Sequence, residues 1–275
     1  MIKFFVLTLF LYAALFADES QILDQSLQSI LGMKNYNANK TFLATIFKQK
    51  ARYSDDTRVD LLRVLQTLKE NRIINLSLKG AQPLTLSFKT QGSSTFFIKT
   101  LSDALRNLGY YKYTTINASK DGATFIWSIQ YSADRIIDPL LLEAELAKVG
   151  LHIVGVQIET PSAWNYEIDM KNAHLHVEKL DAENNINIEQ LSAEKWLEIS
   201  SVSKLAIISD SANSWYPYVS FYDRDLNLLK VEKVDKKTSL LNLNVPLESV
   251  YMKISDIYML SNIKNGLNIE AKESR

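Results

Sequence analysis

The sequence predicts an α+β protein in three parts: a helical N-terminal segment, a β-α-β-β-α-β module and a C-terminal antiparallel β-sandwich. Three observations lead there. Apolar residues recur at helical spacing as far as about residue 70. Alternating and helical patterns then follow each other in turn up to about residue 178. From Trp196 onward only short alternating runs remain, separated by Asp, Asn, Ser and Gly.

The chain opens MIKFFVLTLFLYAALFADES, with one positive charge at Lys3, an apolar run from Phe4 to Phe16 and a small residue, Ala17, before Asp18 and Glu19. That order is expected of a secretory signal peptide over residues 1–17, cleaved after Ala17. The run is shorter than the about 20 residues a spanning helix needs, and an uncleaved N-terminal anchor is the alternative. No later stretch is continuously apolar over that length, so no transmembrane segment is expected after cleavage. The address read from this pattern is the periplasm.

Residues 18–74 are expected to be helical. Ile22, Leu23, Leu27, Ile30 and Leu31 share a helical face that Gly32 is placed to end, and Phe42, Leu43, Ile46 and Phe47 form a second short face. A further helix carries Val59, Leu62, Leu65 and Leu68 along one side, with Ser54 or Asp55 expected as its cap. Helices this short need something to dock on.

Residues 75–178 change period. Leu84, Leu86 and Phe88 alternate as on a strand, then TFFIKTLSDALRNLG is amphipathic through Phe97, Leu101, Ala104, Leu105 and Leu108 and stops at Gly109. YYKYTTI reads as a strand, Asp121-Gly122 as a turn and ATFIWSIQYS as the next strand. Asp138-Pro139 caps a helix that ends at Gly150, and LHIVGVQIE is a strand again. Leu101, Leu105 and Gly109 recur as Leu142, Leu146 and Gly150, which suggests two strand-helix-strand halves. Their order is that of a ferredoxin-like split βαβ sandwich. NYEIDMKNAHLHVEKL then reads as a hairpin whose face switches at Lys171-Asn172. The polar residues 179–194 are expected as a linker. Residues 195–275, with runs such as WYPYVSFYD, SLLNLNVP and GLNIEA, fit a β-sandwich that resembles jelly-roll binding modules in a general way.

Composition narrows the function. The chain has no cysteine, which excludes disulfides, a thiol nucleophile and a lipid-modified cysteine. Its 31 basic residues balance 31 acidic ones without a long block of either sign, so nucleic acid is not expected as a partner. No nucleophile elbow, H-E-x-x-H, phosphate loop or dinucleotide fingerprint occurs, and a non-enzymatic protein without a cofactor is expected. Glu143 and Glu145, two apart on a helix, do not face each other and read as solvated charge.

Three constellations remain. His174, His176 and Glu178 alternate with apolar residues, and imidazoles two apart on a strand can share zinc or copper with a carboxylate as third ligand. An exposed polar strand face gives the same pattern, and no metal is assigned. Asp223 and Asp225, with Asn227 nearby, suit either calcium or a turn bonded to its own backbone, and the missing glycine and distal glutamate favour the turn. The aromatic run NSWYPYVSFYD places Val219 and Phe221 on one strand face and Tyr218 and Tyr222 on the other. Asp210, Asn213, Trp215 and Tyr216 fall in the loop before it, where sandwiches carry recognition residues. Trp215 is read either as part of a contact surface or as a plug closing the sandwich end. The expected function is that of an accessory or scaffold subunit of a cell-envelope assembly acting through an envelope protein partner. The alternative is a glycan- or peptidoglycan-binding module using the sandwich.

Overall fold

The computed structural model describes residues 19–54, 58–181, 183–191 and 193–274. The signal peptide expected over 1–17 and the cap expected at Asp55 lie outside them. The protein is a mixed α+β fold with a helical N-terminal region and a sheet-rich C-terminal region. It divides into two compact units, Met1–Gly92 with Leu101–Asn172, and Ser93–Thr100 with Ala173–Arg275.

In the first unit α1 (Glu19–Ile46) is two helical arms joined at Gly32, whose φ of 72° breaks the helix where the sequence places its stop. Leu23, Leu27, Ile30 and Leu31 of the first arm are buried, as are Leu43 and Phe47 further on. The next helix, α2 (Leu61–Glu70), starts later than expected. Its cap is Asp60, whose side chain accepts the Arg63 amide at 3.1 Å, whereas Ser54 forms an isolated bridge with Val59.

The sheet of this unit contains β1 (Ser77–Gln91), β2 (Thr114–Asp121), β3 (Thr124–Arg135), β4 (His152–Thr160) and β5 (Ala163–Asp169), in the order β2-β3-β1-β5-β4. Helix α3 (Ser94–Asn107) joins β1 to β2, and α4 (Pro139–Ala147) joins β3 to β4. The Asp138 side chain accepts the Leu140 amide at 3.1 Å and also pairs with Lys69, so the predicted cap ties α4 to α2 as well. Tyr110 to Tyr113, expected at the head of a strand, precede β2, which starts at Thr114.

Through β4 the element order is the expected one, but the four-strand arrangement is not. Strand β5 occupies the place beside β1, parallel to it with Leu86 opposite Trp164, and pushes β4 to the edge. The hairpin therefore turns between Thr160 and Ala163, not at Lys171-Asn172. The alternation of Tyr166, Ile168 and the residues after Asn172 resembles a hairpin, but the second half does not pair with the first, and its Glu178–Lys179 joins another sheet. Residues 173–177 are irregular and β6 (Glu178–Lys179) is short.

In the second unit the residues 179–194, expected as a linker, supply β7 (Asn185–Ile188). Ile186 and Ile188 are buried on one side of a polar strand, a weak pattern because Asn185 and Asn187 fill the other side. The remaining strands are β8 (Lys195–Glu198), β9 (Val202–Ser209), β10 (Pro217–Tyr222), β11 (Leu228–Lys233), β12 (Leu240–Asn244), β13 (Tyr251–Asp256) and β14 (Leu267–Ser274). They form one sheet ordered β11-β10-β13-β8-β6 and another ordered β12-β9-β14-β7. Val219, Phe221, Met252 and Ile254 of the first share one core with Ile207, Leu267 and Ile269 of the second.

Two buried groups in the first unit are unsatisfied among the described residues, the Trp164 indole N–H and the Tyr166 hydroxyl. Tyr166 stacks on Phe88 with ring centroids 5.4 Å apart, yet its hydroxyl has no hydrogen-bond partner. Burial pushes its pKa well above the ordinary tyrosine value. A folded value above the unfolded one leaves stability intact below about pH 10 and erodes it as pH rises beyond that. Tyr166→Phe is therefore expected to shift stability at pH 7 by no more than about 1 kcal/mol, toward the stabilised side. It should also flatten the alkaline loss, read from urea midpoints at neutral and alkaline pH. A loss above about 2 kcal/mol at pH 7 would show that the hydroxyl has a partner.

Candidate binding surface at the sandwich end

Three loops meet at one end of the second unit: 210–216 before β10, 234–239 after β11, and 257–266 between β13 and β14. Their backbone needs partners away from any ladder, and two buried polar side chains supply them. Asn213, 2% exposed, donates from its amide to the Gly266 carbonyl at 2.7 Å and the Ser209 hydroxyl at 3.2 Å. Its carbonyl oxygen accepts the Asn265 backbone amide at 3.0 Å. Asp256, 8% exposed, accepts the amides of Tyr216 at 2.8 Å, Tyr258 at 2.8 Å and Met259 at 3.0 Å. Gly266 sits at φ +99°, where an added Cβ would lie 2.3 Å from the Ile188 carbonyl. This close approach holds the third loop against the end of β7.

Trp215 has no exposed surface. Its indole N–H donates to the Ser255 carbonyl at 3.0 Å, and its ring belongs to the sandwich core. Of the two readings of this residue the structure shows the plug, and neither Trp215 nor Asn213 offers a face to a ligand. Asp210 is exposed and its carboxylate accepts the Ala212 amide at 2.8 Å, closing a local turn.

The alternation that buries Trp215 turns Tyr216 outward. Its ring meets that of Tyr258 edge-on, with centroids 5.1 Å apart and planes at 85°. Tyr258 is 60% exposed and donates its hydroxyl to Asp235 at 2.5 Å. That bond to a carboxylate raises the tyrosine pKa. Met259, 58% exposed, follows directly. Tyr258, Met259, Asp235 and Asp256 escape the sequence reading. The available signal is the run DIYML, in which an aspartate precedes a turn and large apolar residues find no place in a strand.

The other candidates are placed elsewhere. Tyr218 and Tyr222 stand on one face of β10, but at opposite ends of it. Tyr222 packs on Trp196 with centroids 4.9 Å apart, and Lys253 lies 5.8 Å from the same tryptophan ring. His174 and His176 are exposed on irregular chain with Leu175 buried between them, so the parity is as expected without the strand. Glu178 pairs with Lys195 at 3.0 Å. Among the described residues no three His, Cys, Asp or Glu side chains gather as a metal site. Asp223 accepts the amides of Asp225 at 2.9 Å and Asn227 at 2.8 Å, so its carboxylate is spent on the turn. Glu143, read as solvated, is instead 7% exposed, because the start of β4 folds back over it.

Trp215→Ala is expected to cost about 3–5 kcal/mol, the usual loss for a buried aromatic. Tyr216→Ala should cost far less. Urea unfolding followed by circular dichroism separates the two, and an unchanged midpoint in Trp215→Ala would contradict the burial described.

No family model matches the chain, and no curated protein matches it. Among solved structures, the secreted serine protease VesC from Vibrio cholerae is similar over 78% of this chain and 54% of its own, at 11% identity and a TM-score of 0.24. This chain thus spans about half the length of that structure, and a likeness at this score carries no argument about fold or activity.

Proposed function

We propose that the protein is an exported, periplasmic, non-enzymatic subunit of a cell-envelope assembly, acting as an accessory or scaffold through protein contacts. The observation that carries this reading is the Tyr216–Tyr258–Met259 surface, framed by a rigid loop cluster. Tyrosine and methionine are enriched where protein interfaces bury their centres. Two rings at 85° present an edge and a face, a shape that admits a side chain, whereas a sugar ring stacks on a flat platform. The n-, h- and c-region order of residues 1–17 supports export, and no described helix is long and apolar enough to cross a membrane. We class the sandwich with jelly-roll-like binding modules and the first unit as a five-stranded elaboration of the ferredoxin-like order.

The test is a crosslinking pull-down from the envelope fraction with the whole chain, comparing wild type with Tyr258→Ala/Met259→Ser. The expected outcome is a discrete set of envelope proteins, reduced at least about tenfold in the variant while its circular dichroism is unchanged, as for loss of hot-spot side chains. Equal recovery by both chains would overturn the assignment of this surface. Cell-wall polysaccharide captured by wild type alone would replace it with the glycan-binding reading.

A further inference from the structure

The second unit carries a further surface, separate from the sandwich end and from the reading given to it. Strand β11 is the outermost strand of its sheet among the described residues, with β10 on its inner side. There Val219 lies opposite Glu232, Ser220 opposite Val231 and Phe221 opposite Lys230, all antiparallel. The Val234 amide donates to the Pro217 carbonyl at 3.0 Å. Alternate residues of an antiparallel strand turn their N–H and C=O the same way. The backbone of Lys230 and Glu232 therefore serves β10, and that of Val231 and Lys233 points away from the sheet.

Lys230 and Glu232 stand on the side of the sheet that carries Val219 and Phe221, with Nζ 2.5 Å from Oε1. Charges so placed on an outer strand deter an arbitrary strand from pairing. Against a second copy of the same strand they match. With two antiparallel copies centred on Val231, Val231 faces Val231, and their outward N–H and C=O groups bond reciprocally. Lys230 of each copy then lies opposite Glu232 of the other, and four alternating charges close the rim. Moving the centre one residue either way puts Lys230 opposite Lys230 or Glu232 opposite Glu232, and like charges directly opposite are destabilising. The charges thus select one register. The same register brings Leu228 and Leu229, 57% and 36% exposed, against Val234 and the Lys233 stem of the other copy.

We propose that a second copy of this chain docks on β11, continuing the sheet across a two-fold axis at Val231. A strand of six residues buries little surface, so the dimer forms and dissociates with concentration. The contact is isologous and uses the outer side of β11 in both copies, so association through it stops at two.

The first test is disulfide trapping in a chain that has no cysteine of its own. Val231→Cys is expected to give a covalent dimer under mild oxidation, because facing residues of a hydrogen-bonded pair have Cα atoms about 5.5 Å apart, within disulfide reach. Lys233→Cys is expected to stay monomeric, its two copies lying about 14 Å apart along the strands. The second test is sedimentation equilibrium of the whole chain from about 1 μM to about 1 mM. Glu232→Lys should weaken the dimer at least about tenfold, and Lys230→Glu/Glu232→Lys should restore it, with circular dichroism unchanged in both. If Glu232→Lys fails to fold, the two cysteine variants decide. A wild-type monomer across that range, equal trapping at the two positions, or a dimer indifferent to Glu232→Lys overturns the proposal. A dimer lost instead in Tyr258→Ala/Met259→Ser would place self-association at the sandwich end and overturns it equally.

Discussion

Without a cysteine in the chain, both units are held by burial of apolar side chains on sheet faces, and that burial imposes a second demand. Every backbone amide and carbonyl taken out of water with those side chains must find a partner. Ladders meet the demand within the sheets. At the loops buried polar side chains do so, among them Asn213 and Asp256 at the sandwich end, and Glu143 where α4 gives way to β4. Each stands in for a missing strand by accepting amides that no ladder reaches. Removing one leaves a buried group unpaired, a larger cost than the net gain of the bond itself. The Tyr166 hydroxyl and the Trp164 indole N–H are exceptions to this economy within the first core.

These anchors also decide which side chains are available to anything outside. Asp256 fixes the backbone of Tyr216, Tyr258 and Met259, so the half-buried Tyr216 and the exposed Tyr258 and Met259 stand on a hydrogen-bonded frame. Glu143 does the same for His152. In both places a buried carboxylate sets the direction of an exposed group, and the order of a surface is a by-product of satisfying the interior.

Much of the fold is legible from local pattern. The stops at Gly32, Gly109 and Gly150, the Asp138-Pro139 cap and the core face Val219–Phe221 all follow from spacing and backbone preference. What escapes the sequence is non-local. Nothing near Trp164 says that its strand slots in beside β1, because the pairing depends on residues from Thr85 to Thr90. The polar segment holding Ile186 and Ile188 has too few apolar positions to announce a strand, and only its pairing with β14 makes it one. For the surface, the aromatic run drew attention to the correct loop, but the sequence leaves open which of two adjacent rings, Trp215 or Tyr216, turns inward. The partner ring, Tyr258, comes from a loop more than a strand away. His152 and Glu143 are close in sequence, yet a helix end and a positive-φ glycine must be combined before their contact can be seen.

The central place of β1 has a consequence for how the chain is made. Leu86 pairs with Ile129 on one side and with Trp164 on the other, both of them synthesised later. Its ladder therefore closes from one flank when β3 emerges and from the second only after the hairpin of β4 and β5 is complete. In between, an apolar strand bearing Leu84, Leu86 and Phe88 presents an open edge, the kind of template on which nascent chains associate wrongly. A polypeptide cut anywhere before residue 163 keeps that edge for good. The minimal piece able to stand as the first unit is thus set by its last strand and not by its apparent repeat.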